Sequence, residues 1–147
     1  MNLTKVKEQL LTMAKQISLE VEEETKEKIT LHAYLNAARY FKNSIYFRIV
    51  VFASGTLHVF FTFDEVERTY DNLYIVNTFN AENPWFRAYI GNINGNDYLE
   101  LHYTALSMEK ENEVTDTVGY LLNEILEEDN VKYINSILNN NEKLQSY

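Results

Sequence analysis

The stretch SIYFRIVVFASGTLHVFFTF, residues 44–63, contains the clearest structural pattern in the sequence. Its first ten residues are mostly β-branched or aromatic, which is typical of a strand, and Ser54-Gly55 is a two-residue turn signal. In the returning strand, apolar Leu57, Val59, Phe61 and Phe63 alternate with Thr56, His58, Phe60 and Thr62. Because successive side chains of a strand point to opposite faces, the stretch predicts an antiparallel hairpin with one apolar face.

Upstream of the hairpin, apolar residues recur at steps of three and four over roughly residues 2–17, which predicts an amphipathic helix. Residues 17–21 then alternate and favour a strand, with a polar turn at 22–28. A competing interpretation continues the first helix through that turn, because the turn is rich in helix formers. Alternation resumes at 29–35, and whether 18–43 is strand or helix stays open.

Downstream of the hairpin, Asp64 and Glu67 form a D-x-x-E arrangement close to a capping box, which predicts a helix beginning at Asp64. Pro84 forbids the extension of that helix. The runs WFRAYIGNI and DYLELHYTAL flank Asn94-Gly95 and predict a second hairpin with a type I′ turn.

A long closing helix is predicted after the acidic turn EKENE, with Thr115 or Asp116 as its cap and a break near Asp129-Asn130. The resulting order is α-β-β-β-α-β-β-α, which indicates an α+β fold in a single domain spanning residues 1–147. We expect a small antiparallel sheet of about five strands, with an N-terminal helix, a middle helix and a long C-terminal helix.

The segment YIVNTFNAENPWFRA, residues 74–88, contains three asparagines, the only proline and the only tryptophan. Such a cluster suits either a binding loop or a structural connection between a helix and a strand. Asparagine tolerates left-handed backbone and proline ends a helix, so we interpret the segment as a structural joint.

Composition and motifs exclude several classes of function. There is no cysteine, which excludes disulfides, thiol nucleophiles and cysteine-ligated metal. No apolar stretch is long enough for a membrane span or a signal peptide, so we expect a cytoplasmic protein without membrane contact. Walker A, G-x-G-x-x-G and H-E-x-x-H motifs are absent, and Ser54 lacks the context of a nucleophile elbow. No stretch therefore carries a recognisable catalytic motif, and we assign no catalytic residues and no cofactor.

The net charge of −9 arises mainly from the C-terminal half, where residues 64–147 carry sixteen acidic and five basic side chains. Direct nucleic-acid binding is disfavoured, because phosphate neutralisation needs clustered lysine and arginine. The simple explanation of the negative charge is that it keeps the protein soluble. The alternative is a small acidic inhibitor, encoded by a phage or mobile element, that mimics nucleic acid towards a DNA-processing enzyme.

Three histidines, His32, His58 and His102, each follow a leucine in a predicted strand. Three imidazoles on neighbouring strands would suit zinc, but the strand order is unknown, and isolated histidines are the simpler interpretation, so we assign no metal site. Consecutive carboxylates at 22–24 and 127–129 are interpreted as solvated, because general acid–base catalysis needs carboxyls that converge in a cleft.

The non-core face of the first hairpin is the candidate protein interface. Its residues are Tyr46, Arg48, Phe52, His58 and Phe60. An aromatic face with arginine and no acid is typical of protein interfaces. The alternative is that a helix of the same chain covers this face, and a slip of one residue in the register would exchange the faces.

The segment FTFDEVERTYDNLYIVNTFNAENPWFRAYI, continued by NGNDYLELHYTALSMEKENEVTDTVGYLLNEIL, resembles the bacterial YbjN-like proteins. VNTFN, YLELHYTAL and TDTVGYLLNEIL match that family in type and order, and the resemblance covers roughly residues 45–138. It implies a type III secretion chaperone-like fold and a non-enzymatic role as a regulator or chaperone-like protein-binding module. It also implies an unidentified protein partner, a homodimer, or both, and no catalytic residues.

Overall fold

The computed structural model describes the backbone of residues 1–145 and the side chains of residues 1–139. Within that part of the chain, four α-helices and six strands form, with a short 3₁₀ helix at Lys15–Ile17. The helices are α1 (Leu3–Met13), α2 (Tyr70–Glu82), α3 (Glu111–Glu124) and α4 (Glu128–Gln145). The strands are β1 (Glu20–Glu24), β2 (Lys28–Leu35), β3 (Ile45–Phe52), β4 (Leu57–Phe63), β5 (Arg87–Ile93) and β6 (Asn96–Ala105).

The strands form one antiparallel sheet in the order β1-β2-β3-β4-β6-β5. The predicted α+β class and antiparallel sheet are confirmed. The sheet has six strands where about five were predicted, because both β1 and β2 form upstream of the central hairpin. In that hairpin Arg48 lies opposite Phe60 and Val50 opposite His58, so the two faces are divided as predicted.

The core lies between one face of the sheet and the helices. Its largest fully buried side chains include Phe41, Phe47, Phe61, Phe63 and Phe86. Phe47 and Phe61 stack across β3 and β4 with their ring centroids 5.0 Å apart. The β4 side chains alternate between buried and half-buried, so only one face of this central strand enters the core.

Residues 18–43, whose structure the sequence left open, form the hairpin of β1 and β2 followed by turns. Helix α1 ends at Met13, and Ser18 has a left-handed φ of 54° before β1 begins. The Thr25 hydroxyl accepts the N–H of Lys28 at 3.1 Å and closes the tight turn. The alternative of one helix through this region is therefore wrong, and the turn is shorter than predicted because Glu24 still pairs in the sheet.

The middle helix begins later than predicted. Asp64 does not open it; instead the Thr69 side chain caps α2 by accepting the N–H of Asn72 at 3.1 Å. The chain between Asp64 and Thr69 is held by a tertiary contact, in which the Asp97 carboxylate on β6 accepts the N–H of Arg68 at 3.0 Å. A D-x-x-E pattern is local and contains no information about that contact.

The segment at residues 74–88 is the structural joint that its sequence predicts. The Asn83 side-chain oxygen accepts the N–H groups of Trp85 and Phe86, both at 2.8 Å. The same side chain donates to the Asn130 carboxamide on α4 at 2.9 Å. Helix α2 ends at Glu82, before Pro84, and the Asn83 side chain links the end of this helix to α4.

The closing helix is two helices, not one. Helix α3 ends at Glu124 and α4 begins at Glu128, so the helix is interrupted a few residues before the predicted position. Thr115 and Asp116 lie inside α3 and do not cap it, because α3 already begins at Glu111. The last three residues of EKENE, the run predicted as a turn, form the first turn of α3, where the carboxylates of Glu111 and Glu113 interact favourably with the helix dipole.

Candidate functional site

The face of the sheet opposite the helices is the candidate site, and we call it the open face. It is formed by alternate residues of all six strands. Its side chains include His32, Tyr34, Tyr46, Arg48, Val50, Phe52, His58, Phe60, Thr62, Glu100, His102 and Thr104. None of them belongs to the main core cluster of the described side chains; Val50 is buried, and ring contacts join several of the others.

Near-parallel rings form the centre of the open face. The Phe60 ring lies over the His102 ring, with centroids 4.4 Å apart and planes inclined by 10°. The His58 centroid is 5.2 Å from that of His102. On the other side, the Arg48 guanidinium lies 5.4 Å from the Phe60 centroid, a cation–π distance. Aromatic and imidazole rings therefore form a continuous surface across β4 and β6, next to a cation on β3.

His58 and His102 contact each other through their ring nitrogens. Nδ1 of His58 lies 3.0 Å from Nε2 of His102. The Thr104 hydroxyl lies 3.2 Å from the first nitrogen and 3.0 Å from the second. Burial lowers the pKa of both histidines, and the proximity of His58 lowers the pKa of His102 further. Both imidazoles are therefore predominantly neutral near pH 7.

His32 lies apart from this pair, although it is on the same face. Its Nδ1 is 3.1 Å from the Tyr46 hydroxyl, and Tyr46 also packs against Tyr34 with ring centroids 5.1 Å apart. Burial, followed by the negative charge of Glu22, raises the pKa of Tyr46. Two of the three histidines thus converge and the third does not. Among the described residues, no group of three or more His, Cys, Asp or Glu side chains is arranged to hold a metal ion.

The β5 edge of the sheet is capped by side chains. The Asn80 carboxamide accepts the N–H of Ala88 at 2.7 Å and donates to the carbonyl of the same residue at 2.9 Å. The Arg68 guanidinium donates to the carbonyl of Ile90 at 3.3 Å. These are backbone groups that an additional strand would use, so this edge is largely closed to strand pairing.

The β1 edge is protected by charge and irregularity. Four of its five residues are glutamates, and all five are exposed. The register with β2 shifts between Val21 and Glu23. Repeated charges and a bulge both disfavour pairing with another chain. The open face, between two protected edges, is therefore the accessible sheet surface.

All five residues predicted as a protein interface lie on the open face. They are Tyr46, Arg48, Phe52, His58 and Phe60. Their role in binding stays a prediction. The structure adds His102 and Thr104 beside His58, which the sequence could not place there because β4 and β6 are separated by α2 and β5.

The carboxylate runs do not form a catalytic pair. The glutamates at 22–24 are exposed, and Glu24 pairs with Lys7 at 2.9 Å; residues 127–129 are exposed as well. Two of the larger surface clefts lie between α2 and α4 and beside the β5–β6 turn; the second reaches Thr62 on the open face, but neither is lined by the central rings of that face. The open face is therefore better suited to contact a surface than to enclose a small substrate.

Comparison of the chain with family models, curated proteins and solved structures finds no match. The resemblance to the YbjN-like proteins therefore stays a prediction. Among the described residues, no helix is both long and apolar enough to cross a membrane.

Proposed function

We propose that this protein is a non-enzymatic protein-binding module, chaperone-like or regulatory, that acts in the cytoplasm and binds another protein chain on its open face. The observation that carries the proposal is an aromatic sheet face, placed between two protected edges, that stays outside the core formed by the described side chains. The YbjN-like resemblance, with its type III secretion chaperone-like fold, points to the same kind of role.

The size of the open face suits a protein partner. Six strands about 4.8 Å apart and about seven residues long give a face of roughly 650 Å². Two apposed faces of this size would bury roughly 1,300 Å², which is within the range of specific protein complexes. The central rings provide the apolar, aromatic character that the centre of such an interface needs.

A second copy of the chain is the first occupant to test, because the open face contains charges of both signs. Arg48 lies near its centre, 4.0 Å from the carboxylate of Glu22, and Glu100 lies further along on β6. A second copy in a two-fold arrangement would set a cation of one face against a carboxylate of the other.

Sedimentation velocity of the wild type and two variants tests this proposal. Phe60→Asp places a charge on the central ring of the open face, whereas Tyr70→Asp makes the same change at an exposed tyrosine on α2. We expect a wild-type dimer that persists in high salt, a dimer in the Tyr70 variant, and a monomer in the Phe60 variant. Equal association of both variants would argue against the open face as the dimer interface.

A monomeric wild type would exclude the second copy and leave a different protein as the partner. Capture from host lysate then compares the same three proteins at low and high salt. A partner lost only in the Phe60 variant supports the module. A partner retained by both variants but lost in high salt would favour the acidic nucleic-acid mimic instead.

A further inference from the structure

We infer that His58, His102 and Thr104 form a binding site for one divalent transition-metal cation on the open face. Zinc, nickel and copper are ions that favour imidazole ligands, and the hydroxyl would be a weaker third ligand. The inference goes beyond the proposed docking function and does not depend on it, since it concerns a small ion and the isolated chain.

The spacing of the three donor atoms carries this inference. Nδ1 of His58, Nε2 of His102 and the Thr104 hydroxyl are separated by 3.0, 3.0 and 3.2 Å. Two nitrogens bound to one tetrahedral zinc ion at about 2.1 Å lie about 3.4 Å apart. Small rotations of the side chains therefore bring all three atoms to ligand distance from a single ion.

The lone pairs of the two rings point to the same chemistry. If each neutral imidazole carries its proton on its other nitrogen, two lone pairs face one another across 3.0 Å. That arrangement is unfavourable unless a hydrogen atom or a cation lies between the nitrogens. In the other tautomer one nitrogen carries its proton and donates it to the second nitrogen in a neutral hydrogen bond, whereas in the first tautomer a bound metal cation would accept both lone pairs.

The sheet holds the two rings in place without a metal. Cross-strand pairing sets His58 opposite Thr104 and Phe60 opposite His102, and the Phe60 ring covers the plane of the His102 ring. Glu100 lies two residues from His102 on the same face, where its carboxylate accepts the Tyr89 and Thr62 hydroxyls. Water completes the coordination, because Thr104 is exposed.

Titration of zinc chloride into protein freed of metal by EDTA, without a polyhistidine tag, tests the site by calorimetry. We expect saturable binding of one zinc ion per chain and no comparable binding of magnesium. His58→Gln and His102→Gln should each weaken zinc binding about tenfold or more. His32→Gln is the matched control, since His32 lies on the same face but is bonded to Tyr46, and its affinity should equal that of the wild type.

Nuclear magnetic resonance of the imidazole nitrogens gives a second readout that needs no variant. Zinc should shift the signals of His58 and His102 and leave those of His32 in place. The inference is overturned if zinc binds no better than magnesium, if the three histidine signals respond equally, or if His32→Gln weakens binding as much as the other two substitutions.

Discussion

Asparagine carboxamides take the place of backbone partners where regular structure stops. Asn80 bonds both the N–H and the carbonyl of Ala88 at the edge of the sheet. Asn130 donates to the carbonyl of Glu124 at the end of α3, at 2.8 Å. Since a buried backbone group without a partner costs about 1–3 kcal/mol, such side chains stabilise the ends and edges of elements. Single polar side chains, and not only apolar burial, therefore determine where these helices and strands end.

Asn80→Ala should lower the free energy of unfolding by about 1–3 kcal/mol, because both backbone groups of Ala88 lose their partner. Asn77→Ala is the control, since Asn77 is an exposed residue of the same helix. Urea denaturation of the two variants gives the comparison. If both variants lost the same stability, helix propensity and not the capped edge would be the cause.

The hairpin elements follow from local sequence, and their pairing with distant strands does not. Asn94 and Gly95 have φ values of 53° and 84°, as a type I′ turn requires, and the turn signal alone located them. Alternation likewise placed the five interface candidates on one face. By contrast, the histidine pair depends on β6 lying beside β4, and the start of α2 depends on Asp97. Those contacts join residues far apart in sequence, and no local pattern encodes them.

Gly55→Ala tests the turn between β3 and β4. Gly55 has a φ of 97°, and an added Cβ would lie 2.2 Å from the backbone oxygen of Met108. The matched control is Gly95→Ala, where φ is 84° and no atom lies within 4 Å of the added Cβ. Backbone strain alone should lower the free energy of unfolding of the Gly95 variant by about 1 kcal/mol. Strain together with the steric clash should lower that of the Gly55 variant by about 3 kcal/mol.

Thermal and urea denaturation of both glycine variants give these free energies. Equal losses would mean that the segment around Met108 moves aside at little cost. The backbone N–H of Met108 donates to the carbonyl of Gly55 at 3.0 Å, so a shift of this segment would break that hydrogen bond as well. The turn thus couples the central hairpin to the segment that leads into α3.

On the scale of the whole molecule, the sheet has three kinds of boundary. One face is covered by helices, the two edges are closed by different means, and the open face remains accessible. The β5 edge is closed by hydrogen bonds, whereas the β1 edge depends on negative charge. Part of the net charge of −9 therefore lies along the β1 edge, where we expect it to disfavour edge-to-edge association of this chain.

Glutamine at positions 20, 22 and 24 should make the protein associate, because the β1 edge would keep its unpaired backbone groups and lose its repulsion. Glutamine at positions 8, 109 and 113 removes the same charge from exposed residues outside the sheet and serves as the control. Light scattering and sedimentation at equal concentration should show higher oligomers only for the first variant. Equal association of both variants would assign the effect to net charge and leave the β1 edge without a protective role.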